Sequence, residues 1–290
     1  MSTDDGRPPV TETTPFPIIP ENRGDDLHGL EHGAGSQLNL FMAGNQFMVM
    51  DELIAAFHAR HPDIRRIYCQ TLPPGLQLKQ ILAGGARFGS RIIDAEADIY
   101  TAVSRQAMQQ LVEAGRIAPD GYHCYLHNRL VLLVPAANPA AIRTVADLAG
   151  DRVRISQPDP AGEDIAHHII AMYRDAGGEA LVKRIMEEKR AEGTTVMTVV
   201  HHRETPQRLC EGIVDVGPVW ATEAIYADRR RLPLAMIDPG AALDQRRRIN
   251  YYICQLTASP HPQNAARFLT FMATATARAI YARHGFVTAV

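Results

Sequence analysis

Short apolar runs separated by amphipathic stretches set the rhythm of this chain. Leu38–Ala43 reads as a strand, Phe47–Arg60 as a helix, Ile64–Gln70 as a strand, Leu76–Ala83 as a helix and Ala97–Ala102 as a short strand. Strands that alternate with helices in this way imply a mostly parallel sheet covered by helices. The stretch 87–96 interrupts the rhythm and is expected to be a surface loop.

A second series follows. Leu126–Pro135 reads as one long apolar strand, and after it come strand-like Arg152–Ile155, Thr194–Val200 and Asp215–Trp220 with helix-like Glu163–Asp175 and Thr205–Glu211 between them. Arg248–Thr257 is another long β-rich segment, followed by a helical pattern over Pro262–His284 with Gly285 as its C-cap. One long β segment leaving and another returning would form a two-segment hinge between lobes. A single large sheet is the alternative that periodicity alone leaves open.

Residues 1–35 are rich in Pro, Gly, Asp, Glu and Thr, a composition that cannot offset its own ordering entropy. A flexible tail is expected there, with order beginning at Gln37. Within it, Phe16-Pro-Ile-Ile-Pro20 could dock onto a protein partner.

Composition narrows the function classes. The 290 residues are 46% hydrophobic, enough for a substantial core, and 30 basic residues nearly balance 32 acidic ones. No global field draws the chain to nucleic acid or to an anionic membrane, and the runs Arg229–Arg231 and Arg246–Arg248 read as solvated loops. Neither a membrane span nor a secretory signal is visible, so a cytoplasmic location is expected if Met1 is the true start. Cys69, Cys124, Cys210 and Cys254 have no metal or redox spacing and are expected to be buried thiols. Adjacent histidines such as His167-His168 or His201-His202 cannot both face one metal on regular structure, and no metal or cofactor is expected. No nucleophile motif or phosphate loop is present, so no catalytic residue is named.

Several phrases occur together in a telling order: Phe41-Met-Ala-Gly-Asn45, the run from Leu76 to Gly84, Ala97-Asp-Ile-Tyr-Thr101, the run Asn128–Pro135, Pro158-Asp-Pro-Ala-Gly162, the run from Asp215 to Ala224, and the run from Ala279 to Phe286. In order and spacing, over about residues 37 to 288, they resemble the molybdate-binding proteins of ABC importers. The resemblance implies an α/β, two-lobed type 2 periplasmic-binding-protein fold with a two-segment hinge. The first lobe would span residues 36–130 plus 251–290 and the second 131–250. It also implies a periplasmic location, an importer permease as partner, and a small oxyanion held in the interlobe cleft by backbone N–H groups and hydroxyls, which helix N-termini suit.

Carried over position by position, the family's first ligand serine falls on Asn45, next to Gln46. A second falls in Leu72-Pro-Pro-Gly75, where Pro74 and Gly75 bring no hydroxyl. The third falls on Ala161 beside Gly162, the fourth on His202 beside Arg203, and the tyrosine on Trp220. Thr101 is expected within reach. The substitutions imply a pocket of altered specificity, in which His201, His202 and Arg203 could replace the lost donors. Two other functions stay open at this point: a cytoplasmic sensing or scaffolding subunit that reuses the fold, and an enzyme with His202 at the cleft.

Overall fold

The computed structural model describes residues 15–161, 163–199 and 204–289. The chain begins with β1 (Ile18–Ile19), β2 (Leu27–His28) and β3 (Leu38–Phe41), followed by α1 (Phe47–Arg60), β4 (Ile67–Gln70) and α2 (Pro74–Ala83). A hairpin of β5 (Ala86–Phe88) and β6 (Arg91–Ile93) precedes β7 (Ile99–Ala102), α3 (Arg105–Glu113) and β8 (Tyr122–His127). The expected loop at 87–96 is thus a hairpin instead, because β1 supplies β5 with a parallel partner.

The middle of the chain builds a separate layer. It contains β9 (Leu130–Pro135), β10 (Ile155–Gln157), α4 (Asp164–Lys183), a π-turn and the single turn α5 (Lys189–Ala191), then β11 (Thr195–Met197), α6 (Glu204–Cys210), β12 (Gly217–Trp220), α7 (Ala221–Arg229) and β13 (Leu234–Ile237). The return is made by β14 (Asn250–Gln255), α8 (Pro262–Met272), α9 (Ala275–Arg283) and β15 (Val287–Thr288). The helix expected over 262–284 is two helices, because Thr274 caps α9 by accepting from the Ala277 N–H. Gly285, at φ 91°, ends α9 in the left-handed conformation that glycine adopts without strain.

Strand order divides these elements into two lobes. The first is a seven-stranded sheet, β15-β8-β14-β7-β3-β4-β2, in which β3 runs parallel to β4 and β7. The second holds β12-β9-β13 and the parallel pair β10-β11, joined through a bridge between Ile155 and Val216. The apolar run expected as one strand over 126–135 is broken at Asn128-Arg129: β8 belongs to the first sheet and β9 to the second. The return crossing lies beside this one, since Asn250 pairs with His127. Two adjacent crossings form the hinge.

Period-2 burial explains why β9 is apolar throughout. Leu130, Leu132 and Val134 join the large core that α4 covers, while Val131 and Leu133 join a second cluster with Leu209 and Val219. The first sheet is covered likewise on both faces. Leu38 and Leu40 pack with Val49, Phe57 and Phe268, whereas Phe41 packs with Tyr68, Leu78 and Met108.

The expected tail proves structured from residue 15 onward. Ile19 is fully buried, Leu27 is buried, and β2 pairs with β4 while the Thr71 N–H donates to the Asp26 carbonyl at 2.8 Å. Composition understated this segment because it needs little apolar area of its own; it covers apolar surface that the first lobe already presents. Phe16–Pro20 accordingly docks onto this chain's own β5, with the Arg87 N–H donating to the Pro17 carbonyl. Of the cysteines, Cys69 and Cys254 are buried as expected, with burial pushing the Cys254 thiol up to about 12, but Cys124 is half-buried and Cys210 exposed. None is in a disulfide.

Candidate functional site

A cleft of about 390 Å³ lies between the lobes. From the first lobe it is lined by Arg23, Gly44, Asn45, the segment 73–76, Lys79 and Val103, and from the second by Ala161, Glu163, Asp164, Ile165 and Trp220. Four helices begin at its walls. The turn Gly44–Gln46 leads into α1, Pro74 opens α2, Asp164 opens α4, and Trp220 is the N-cap of α7. Helix N-termini leave backbone N–H groups without intrahelical acceptors and carry partial positive charge.

The turn before α1 is held rigidly from behind. The Thr101 hydroxyl accepts from the Ala43 N–H at 2.7 Å and from Gln46 Nε2 at 3.1 Å, and Gln46 Oε1 accepts from the hydroxyls of Tyr125 and Tyr281, each at 2.8 Å. Gln46 and Thr101, expected within reach of a ligand, are instead fully buried and lie behind the wall. A bulge brings Tyr125 there: Tyr251 and Tyr252 of β14 oppose Leu126 and Cys124, which leaves Tyr125 as the extra residue of β8.

Asn45 stands at the cleft, 6% exposed, and is tied to the hinge. Asn128 Oδ1 accepts from the Arg129 N–H at 2.8 Å, which fixes its Nδ2 as donor to Tyr251 Oη and to Thr222 Oγ1, each at 3.2 Å. Tyr251 Oη therefore accepts from Asn128 and has its own proton to give. Its other partner is the Asn45 amide, whose remaining polar atom has no partner. Amide orientation follows the hydrogen-bond network: with Asn45 Oδ1 accepting from Tyr251, the Tyr251 proton is used, and the other amide position of Asn45 is buried without a protein partner.

In the second lobe the loop before α4 has already used donors. The Ala161 N–H donates to Asp159 Oδ1 at 2.9 Å, the Asp159 N–H donates to Thr198 Oγ1 at 3.2 Å, and the Thr198 hydroxyl donates to Glu163. Asp164 opens on the cleft yet is crowded by protein, and desolvation pushes its carboxyl above the usual range, with His167 acting weakly the other way. Gly162, His202 and Arg203 fall outside the described residues. The structure thus brings Asn45, Pro74, Gly75, Ala161 and Trp220 around one cleft. It adds Arg23 and Lys79, which sequence reasoning missed: Arg23 lies in the presumed tail, and Lys79 reads as an ordinary exposed position on the amphipathic α2.

Trp220 is 2% exposed and packs against His168, with ring centroids 6.0 Å apart. Desolvation first, then His167 and Arg248, push the His168 imidazole down to about 4. Its folded value lies below the ordinary 6.5, so the stability it contributes is complete above 6.5 and is lost as pH falls from there toward 4. Stability should decline across this window, and His168→Gln should flatten the decline. Urea midpoints for both proteins at a series of pH values check this; parallel curves would refute it.

The model of the bacterial extracellular solute-binding protein family matches residues 38–287. The chain belongs to this family. YvgL of Bacillus subtilis (strain 168), a candidate ABC transporter substrate-binding lipoprotein, is 24% identical over 199 residues, 66% of this chain and 68% of that protein. The periplasmic molybdate-binding protein of Azotobacter vinelandii superposes with a TM-score of 0.69 at 18% identity, covering 87% of this chain and all of that one. The sulfate-binding protein SubI of Mycobacterium tuberculosis H37Rv gives 0.67 at 20% identity, covering 87% and 86%. At such identities the structures show the fold, two-lobed and hinged. The resemblance drawn from the ordered phrases is borne out to the level of the family: this is a solute-binding protein. No helix among the described residues is long and apolar enough to cross a membrane.

Proposed function

We propose that this solute-binding protein captures one small anionic ligand between its lobes, outside the cytoplasm, and delivers it to an ABC importer permease. The observation that carries the reading is the cleft itself, where helix N-termini from both lobes meet alongside Arg23, Lys79 and the Asn45 amide. An anion that touches both walls stabilises the closed arrangement over open ones by the contacts it gains only there. Molybdate and sulfate, named for the two solved relatives, are the first compounds to try. The losses at Pro74, Gly75 and Trp220 favour a ligand other than molybdate, since no described residue there supplies a hydroxyl.

A thermal-shift series against molybdate, tungstate, sulfate, phosphate and small carboxylates tests the reading. A ligand at a hundred times its dissociation constant adds ~2.7 kcal/mol of stability, a shift readily seen. A flat response to every anion would sink it.

A further inference from the structure

The two walls of the cleft carry opposite charge. Among the described lining residues, the first lobe contributes the cations Lys79 and Arg23, the latter in an ion pair with Asp26 at 3.2 Å, and the second contributes Glu163 and Asp164. The first wall also holds the spare amide position of Asn45, a residue more than nine-tenths buried. On the second wall the available N–H of Ala161 is occupied by the Asp159 carboxylate, and Asp164 already stands in the first turn of α4, where an anion would otherwise sit. A bare dianion would be attracted by one wall and repelled by the other.

The lining of the cleft points the same way. Its remaining walls are apolar, from Leu76, Val103, Ile165 and Trp220, and suit a carbon body.

Resting on the reading of the cleft as the ligand site, we propose that the ligand is a dipolar organic molecule. Its anionic head lies against Arg23, Lys79 and Asn45, its carbon body against Trp220, and its ammonium group against Asp164. Asp164, exposed in the first turn of α4 on this wall, can receive a cation there. Glu163, engaged by Thr198, shapes that wall without being required as a free partner.

Calorimetric titration with matched pairs tests this: O-phosphoethanolamine against ethyl phosphate, and β-alanine against propionate, with phosphate and molybdate alongside. In at least one pair, the ammonium compound should bind at least about tenfold tighter than its partner, the scale of one charge-assisted hydrogen bond. Asp164→Asn should erase that preference while the partner's affinity holds or rises as the repelling carboxylate goes, whereas Lys79→Met should weaken both members. Both residues are exposed, and thermal melts verify that the variants fold. Equal affinity within both pairs overturns the proposal, as does a preference that survives Asp164→Asn. Binding of inorganic anions alone overturns the dipolar ligand while leaving the anion-binding reading intact; silence from every compound overturns both.

Discussion

Replacing Gln46 by leucine is expected to destabilise the protein by about 3–5 kcal/mol, although leucine fills nearly the same volume. Gln46 Oε1 is the shared acceptor for the hydroxyls of Tyr125 and Tyr281, and its amide donates to Thr101. Burial raises both tyrosine hydroxyls above their ordinary range, so neither escapes the loss of its partner by ionising. Each buried hydroxyl left without an acceptor costs ~1–3 kcal/mol, while removal of both partners is close to neutral. The triple variant with Tyr125→Phe and Tyr281→Phe should therefore recover much of the loss in urea denaturation. Folded Gln46→Leu protein should keep its ligand affinity within a few-fold. An affinity loss far exceeding the stability loss would return Gln46 to the ligand's contacts, where sequence reasoning had it.

Ile19→Ala is the second large effect, expected at about 2–4 kcal/mol, in the range for truncating a buried branched side chain. Its neighbour Ile18 is the internal control: 70% exposed on the opposite face of β1, it should change stability by less than ~0.5 kcal/mol on truncation. A flexible tail would make both substitutions silent. Because segments can open locally, the cost at Ile19 cannot exceed the free energy with which residues 15–35 dock. Undocking has a functional consequence as well, since this segment carries Arg23 to the cleft wall and Asp26 to Thr71. Ligand affinity should fall together with stability in Ile19→Ala and remain unchanged in Ile18→Ala.

The hinge shows why a ligand could govern lobe position here. Asn45 at the cleft connects through Tyr251 and Asn128, one on each crossing, to Thr222 at the start of α7. On the outer side of the hinge, α7 meets the first lobe directly: Arg229 donates to the Arg283 carbonyl at 2.7 Å, and Phe47 stacks edge-on with Tyr226 at 5.1 Å.

What the sequence determined by itself was the fold and the places where the chain turns toward a cleft. Alternating strands and helices follow from local period, and the ordered phrases around Asn45, Ala161 and Trp220 bring each of those residues to a strand-to-helix corner. Such corners are local features, and local features are legible in a linear pattern. Only the tertiary structure decided which neighbours face the ligand space. Gln46, adjacent to Asn45, turns inward because two tyrosines and Thr101, all distant in sequence, satisfy its amide. Arg23 turns toward the cleft because an unpromising polar segment finds its partners in β4 and β5. The same polar residue is a ligand contact or a buried strut according to which hydrogen-bond partners the fold brings to it, and those partners lie up to 235 positions away, as between Gln46 and Tyr281.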